Sequence, residues 1–147
     1  MKILVSACLL GVRCRYDGQS KPHEGVLSLM RQHTLIPVCP EVMGGLATPR
    51  VPAERAGESV LTQEGGDVTE QYRRGAEEAL RLAELYGCKA ALLKERSPSC
   101  GSGAIYDGSF RHILTAGDGV TAELLKAHGI AVSGESAWQQ LMGEETE

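Results

Sequence analysis

Short apolar runs alternate along the chain with longer segments whose apolar positions recur every three or four residues, the pattern of strands interleaved with helices. Ile3-Leu4-Val5 marks a first strand, about Lys2 to Ser6, followed by a Gly- and Arg-rich loop from Gly11 to Gly18. A helix from about Gly25 to His33 then puts Val26, Leu29 and Met30 on one face. Leu35 to Val38 forms a second strand, and Pro40 to Gly66 reads as a long irregular stretch with a small hairpin around Ser59-Val60-Leu61. A loop of that length is more often functional than idle. Asp67-Val68-Thr69-Glu70 reads as a capping box opening the longest helix, in which Tyr72, Ala76, Ala79, Ala83 and Tyr86 recur as a packing face and Gly87 is the stop. A third strand runs Lys89 to Lys94, Asp118 caps a helix ending at His128-Gly129, Ile130-Ala131-Val132 is a fourth strand, and a short helix near Trp138 precedes a frayed polar tail, Gly143 to Glu147. The expected architecture is α/β: one three-layer domain over residues 1–147 with a mostly parallel, Rossmann-like sheet.

Against that frame the cysteines sort by position. Cys8, Cys39 and Cys100 each follow the end of an apolar run, so in a parallel sheet they meet on loops at the carboxyl-terminal strand edge. Three convergent thiols suggest a metal site. Cys88 precedes its strand and belongs at the other edge, as a small apolar residue. Cys14 lies in the loop that Cys8 opens, within reach of the site as a fourth ligand or an acid, and the flanking Arg13 and Arg15 are expected to lower its pKa.

Composition narrows the partner. The 147 residues carry a formal charge of -4, one Trp and one Phe, which leaves little for a nucleic-acid face built of clustered cations and stacking rings. A small molecule is the better default, and no apolar run approaches the roughly 18 residues of a membrane span. Val5-Ser6-Ala7-Cys8 mimics a lipoprotein cleavage box, but too few residues precede the cysteine for a signal peptide, so the start reads as mature, cytoplasmic protein. Five cysteines, an odd number without extracellular features, argue for reduced thiols.

The metal and its chemistry follow from the donor set. No Cys-x-x-Cys pair and no His at zinc-finger spacing supports a local structural zinc site, whereas thiolates of variable spacing hold iron–sulfur clusters, and Cys39-Pro40 repeats a dipeptide seen in ferredoxins. Three protein thiolates on a four-iron cluster leave one iron open, the condition for Lewis-acid catalysis. Glu41 is placed to activate water or to cap the loop, and Ser97, Ser99 and Gly101-Ser102-Gly103 frame Cys100 in a nest suited to an anion or to cluster sulfides. Arg13, Arg15, Arg50 and Lys94 supply positive charge for a cluster, for an anionic substrate or for solvent alone. Two other classes compete: a zinc–thiolate hydrolase, and a non-catalytic iron–sulfur or nucleotide-binding module.

The blocks Ser6-Ala7-Cys8-Leu9-Leu10-Gly11 with Cys14-Arg15-Tyr16-Asp17-Gly18, Cys39-Pro40-Glu41 with Gly45-Leu46 and Pro49-Arg50, and Leu93-Lys94 with Ser97-Pro98-Ser99-Cys100-Gly101 resemble the family catalogued as domain of unknown function 523, whose characterised members are thiouracil desulfidases. The resemblance implies a [4Fe-4S] cluster on Cys8, Cys39 and Cys100, whose open iron takes sulfur from a thiocarbonyl base, with Glu41 catalytic and a serine assisting, Ser97 before Ser99. It also implies a thiolated pyrimidine substrate, 2-thiouracil or a 4-thiouridine type, converted to the oxo base and hydrogen sulfide. Some relatives carry a fused second domain and act on thiolated RNA; this chain ends soon after Trp138, so a free base, nucleoside or nucleotide is expected rather than RNA.

Overall fold

The computed structural model describes residues 1–145, with side chains as far as Leu141. Four parallel strands form the central sheet in the order β2-β1-β5-β8: β1 Lys2–Ser6, β2 Thr34–Val38, β5 Ala90–Leu93 and β8 Ala131–Gly134. Two antiparallel hairpins stand apart from it, β3 Ala53–Ala56 with β4 Ser59–Thr62, and β6 Ala104–Tyr106 with β7 Leu114–Ala116. The helices are α1 Glu24–Ser28, α2 Pro40–Met43, α3 Thr69–Tyr86, α4 Val120–Ala127 and α5 Trp138–Glu145.

Period-two alternation on the central strands sorts the core into two layers, because successive side chains leave opposite faces of a sheet. Leu4, Ala91 and Leu93 pack with Ala79 and Ala83 of α3 and with Leu125 of α4, while Ile3, Val5 and Leu92 pack with Leu9, Val26, Leu29, Trp138 and Leu141. Fully burying each Leu, Ile or Val contributes about 1.5–3 kcal/mol, so both faces of this short sheet are strongly held. The alanines of α3 keep that helix close to its neighbours. Among the described residues no helix is long and apolar enough to cross a membrane.

Several local expectations are corrected. The helix after the first loop stops at Ser28 and tightens into a 3-10 turn, Leu29–Arg31; three residues per turn shift the register, and Met30 is left 61% exposed. Tyr86 likewise ends α3 on the exposed side, at 43%. The stretch 40–66 holds the expected hairpin, β3 with β4 around Ser59-Val60-Leu61, but opens with a short helix, α2, instead of irregular chain. No side chain caps α3; Asp67 instead accepts from Thr69 N and Oγ1, and that hydroxyl in turn accepts from Val60 N. Asp118 does not cap α4, whose N-cap is Gly119; its carboxylate takes Gly103 N at 2.8 Å and Lys126 Nζ at 2.9 Å. The β6–β7 hairpin was not foreseen. The tail expected to fray is helical to Glu145, and Thr146 and Glu147 lie outside the described residues.

Candidate active site

Strand order reverses between β1 and β5: the chain passes from β1 to one side and returns on the other, leaving a crevice at the carboxyl ends where ligands of such sheets bind. Register fixes what sits there. Ser6 pairs opposite Val38, so the chains leading to Cys8 and Cys39 leave from adjacent strand ends, and Ser6 Oγ accepts Lys94 N at 2.8 Å, tying the end of β5 to the same point. The crevice opens into a cavity of about 570 Å³ lined by Cys8, Cys14, Cys39, Glu41, Arg15, Arg50, Lys94, Ser97 and Cys100, among others. Cys88 is not in that lining; it is buried with Ala83 and Ile130 in one core layer, just ahead of β5.

Each thiol is presented by a different local device. Cys8 lies in a 3-10 turn, Ala7–Leu10, closed by Gly11 at φ 102, and its carbonyl accepts from Gly11 N and Lys21 N. Cys39 is the N-cap of α2, with Pro40 opening the helix, where a missing N–H costs nothing. Cys100 is set by Ser97, whose Oγ accepts both Ser99 N and Cys100 N at 3.0 Å. Those two bonds use the acceptor side of the hydroxyl, so Ser97 has its proton left to donate.

Cys14, Cys39 and Cys100 are held in their protonated form. Burial, then the charge of Glu41, pushes Cys100 up to about 12 despite help from Ser6 and Ser99. For Cys39 the hydrogen bond with Cys14, and then burial, push the thiol up. Cys14 is raised to about 11: its bond with Cys39 favours the thiolate, but the bond with Cys8, burial and the charges of Cys8 and Glu41 outweigh it. The expected lowering by flanking arginines therefore does not occur. A tight turn, Cys14 N to Val12 O at 2.9 Å, buries the thiol while Arg13 is exposed and outside the cavity lining, and Arg15 lies over the Tyr16 ring.

Glu41 is held in the cavity from two sides. Its Oε2 accepts Tyr72 Oη at 3.0 Å and faces Arg50 Nη2 at 3.5 Å, and neither contact uses Oε1. Burial, with the adjacent Glu41 charge, keeps the Tyr72 hydroxyl firmly protonated as a donor. The helix carrying Glu41 reaches Tyr72 because two glycines allow it: a Cβ on Gly75 would overlap the Pro40 carbonyl, and one on Gly44 would overlap that of Gln71. Arg50 also bonds Cys14 O at 3.0 Å, Ala47 O and Thr48 Oγ1. Among the described residues its buried Nε has no hydrogen-bond partner.

Two candidates differ from their expected surroundings. Ser99 is fully buried and bonded to Thr121 Oγ1 at 2.8 Å, outside the lining. Lys94 is committed to Glu135 Oε2 at 2.9 Å. Sequence reasoning missed Tyr72, read as packing only, together with Glu54, Tyr106, Phe110 and His112, all of which line the cavity. The Asp107-Gly108 pair, a turn dipeptide, was the one available signal for the loop that carries the last two.

Known proteins match this arrangement along nearly its whole length. A Bacillus subtilis (strain 168) relative, the uncharacterized protein YbbK, is 43% identical over 150 residues, covering 95% of this chain and 99% of its own. A solved structure of the [4Fe-4S]-dependent thiouracil desulfidase TudS superposes with a TM-score of 0.91 at 52% identity, covering 96% of this chain and 95% of that one. The family model for 2-thiouracil desulfurase matches residues 3–137, from the first strand through the last one and with every cavity residue named above inside it: this chain belongs to the 2-thiouracil desulfurase family.

Proposed function

We propose that the protein is a desulfidase of thiolated pyrimidines, 2-thiouracil or a 4-thiouridine-type nucleoside or nucleotide, releasing the oxo base and hydrogen sulfide with a [4Fe-4S] cluster on Cys8, Cys39 and Cys100. The observation that carries this reading is the convergence of those thiols and Glu41 on one cavity from three separate strand ends. The donor set fits a cluster. All three donors are soft thiols, the ligands that hold iron–sulfur clusters. A buried Arg50 Nε without an acceptor suits a group that presents sulfides. Cys39 and Cys100, both raised, give up their protons to a metal, so loading releases protons.

When bound, the cluster would supply a soft Lewis-acidic iron for a thiocarbonyl sulfur. The protein supplies the rest. Glu41 Oε1 takes a proton from the water that attacks the thiocarbonyl carbon, while Tyr72 and Arg50 hold Oε2 and fix the carboxylate plane. Ser97 donates its hydroxyl proton toward the reacting group, and its bonds to Ser99 N and Cys100 N keep it in place. Water adds oxygen to the carbon, the carbon–sulfur bond breaks, and sulfur leaves as hydrogen sulfide with no net redox change. Arg15, whose side chain makes no ion pair among the described residues, takes an anionic part of the substrate, whereas Arg50 and Lys94 are engaged with carboxylates and act by positioning. Ser99 supports the turn rather than the reaction.

The test is turnover. Protein reconstituted anaerobically with iron and sulfide should convert 2-thiouracil to uracil with one sulfide released per base. A loaded protein, brown and with acid-labile sulfide, that leaves 2-thiouracil and 4-thiouridine compounds intact would refute the proposal.

A further inference from the structure

The chain has one Phe, one Trp and four Tyr, and the Phe with three of the Tyr lines the cavity already described. Two of these aromatics, Tyr106 and Phe110, lie with His112 on β6 and the loop that joins it to β7. That loop is strained where it meets the cavity. Among the described residues the non-glycine positions at positive φ are Arg96 at 70°, Phe110 at 59° and His112 at 60°, and all three are lining residues. A bulky residue in the left-handed region persists only where its surroundings over-determine it, and such positions gather at ligand clamps.

The surroundings are visible. Glu54 of β3, a lining residue only 8% exposed, accepts both Gly108 N at 2.9 Å and Phe110 N at 3.1 Å with a single oxygen, Oε1. Gly108 is at φ 96, and a Cβ there would press Ala56 Cβ at 3.0 Å, so the loop sits directly on the first hairpin. Asp107 Oδ1 takes Ser109 N and Oγ, and Asp107 N bonds Ile113 O across the neck. Tyr106 and His112 meet edge to face, centroids 5.8 Å apart. What this buried carboxylate of Glu54 secures is the backbone of Phe110.

We propose that Tyr106, Phe110 and His112 form the wall against which the planar ring of the substrate base is held, with Phe110 the chief stacking contact and Glu54 the positioning residue that sets it. This deepens the desulfidase reading and rests on it for the identity of the base. Stacking tolerates any ring substituent and needs no hydrogen-bond code, so the wall selects a planar heteroaromatic as a class and leaves the choice of sulfur to the metal end of the cavity.

A single phenylalanine makes the test direct, because 4-fluorophenylalanine labelling puts one fluorine reporter in the chain, at position 110. In the loaded protein that resonance should shift on titration with 2-thiouracil and also with uracil, which has the ring but no sulfur. Phe110→Ala should raise KM for 2-thiouracil by about 5- to 150-fold, the range one base–aromatic stack commands, with kcat within about threefold and Phe110→Tyr restoring KM. Glu54→Ala should copy the raised KM, while Glu54→Gln, whose amide oxygen still accepts both N–H groups, should stay near the parent. A reporter unmoved at concentrations that saturate turnover, or Phe110→Ala with unchanged KM, would overturn the wall. Loss of function in Glu54→Gln equal to Glu54→Ala would overturn the tether. If the parent protein turned over no thiolated pyrimidine yet uracil still moved the reporter, the wall would stand and the desulfidation reading alone would fall.

Discussion

The part of the cavity lining that carries Cys8, Cys39 and Cys100 grows from strands whose Ile3, Leu4, Val5, Leu92 and Leu93 are wholly inaccessible, whereas the part that carries Tyr106, Phe110 and His112 stands on a hairpin whose second strand, β7, is exposed throughout. The first is held by apolar area on both faces of a sheet, the second by discrete polar bonds from Glu54, Asp107 and Asp118. Burial is a sum over many contacts and fails gradually; a carboxylate tether fails bond by bond. The end proposed to hold the cluster is thus built on rigid, redundant structure, and the end proposed to hold the base on a few replaceable contacts.

The comparison breaks most completely at the thiols. After anaerobic reconstitution, Cys39→Ser and Cys100→Ser should each abolish or badly weaken the iron–sulfur absorbance, while Cys88→Ser, buried in a core layer outside the cavity, should leave it intact. Equal bleaching at Cys88 would show that position at the strand edge does not decide ligation. Cys14→Ser should retain the cluster, and loss of iron there would make it a fourth ligand and close the open iron.

Next in size is Glu41→Gln, which keeps the shape that Tyr72 and Arg50 hold but removes the proton acceptor. Turnover of 2-thiouracil should fall by about 10²–10⁴-fold with an unchanged absorbance spectrum, the usual worth of a general base. Near-normal turnover would move water activation elsewhere. A smaller effect is expected at the support beneath it: Gly75→Ala puts a Cβ into the Pro40 carbonyl, an overpacking that should cost about 1–3 kcal/mol and displace α2 from α3. Thermal unfolding should show a lowered midpoint together with reduced turnover. An unchanged midpoint would mean that the two helices separate freely.

How legible each part was in the sequence follows the same division. Ile3-Leu4-Val5, Leu35 to Val38 and Ala90 to Leu93 announce buried parallel strands by apolar content alone, and the cysteines just beyond them inherit their place from topology. Tyr72 was hidden because a side chain with one apolar body and one polar tip reads as core on a helical wheel; only the approach of α2, permitted by Gly44 and Gly75, reveals its bond to Glu41. The β6–β7 hairpin was hidden because its strands are three residues each and mostly unburied, too short for a period-two pattern. Cys14 was misread for a related reason. Arg13 and Arg15 are its neighbours in sequence, but Arg13 is exposed outside the cavity lining and Arg15 lies over the Tyr16 ring.

The smallest effect is expected at Asp118, which pins the root of β6 through Gly103 N and binds Lys126, while its own carbonyl accepts Arg55 Nη1 from the other hairpin at 2.8 Å. Burial pushes this carboxyl up, but the bonds from Lys126 and Gly103, with the charge of Arg55, more than offset it, so the folded group lies below its ordinary 3.8. A depressed carboxylate pKa stabilises the fold above the ordinary value and loses that contribution as pH falls through the folded one. Lys126 is 38% exposed, so screening limits the gain, and Asp118→Asn should cost only about 1 kcal/mol at neutral pH. The difference in stability between Asp118→Asn and the parent should begin to close near pH 3.8 and vanish below the depressed value. Denaturant unfolding across that range measures it directly. A difference that stayed constant with pH would mean that Asp118 acts by shape and not by charge, and the second part of the lining would then be less dependent on its carboxylates than the first is on its buried leucines.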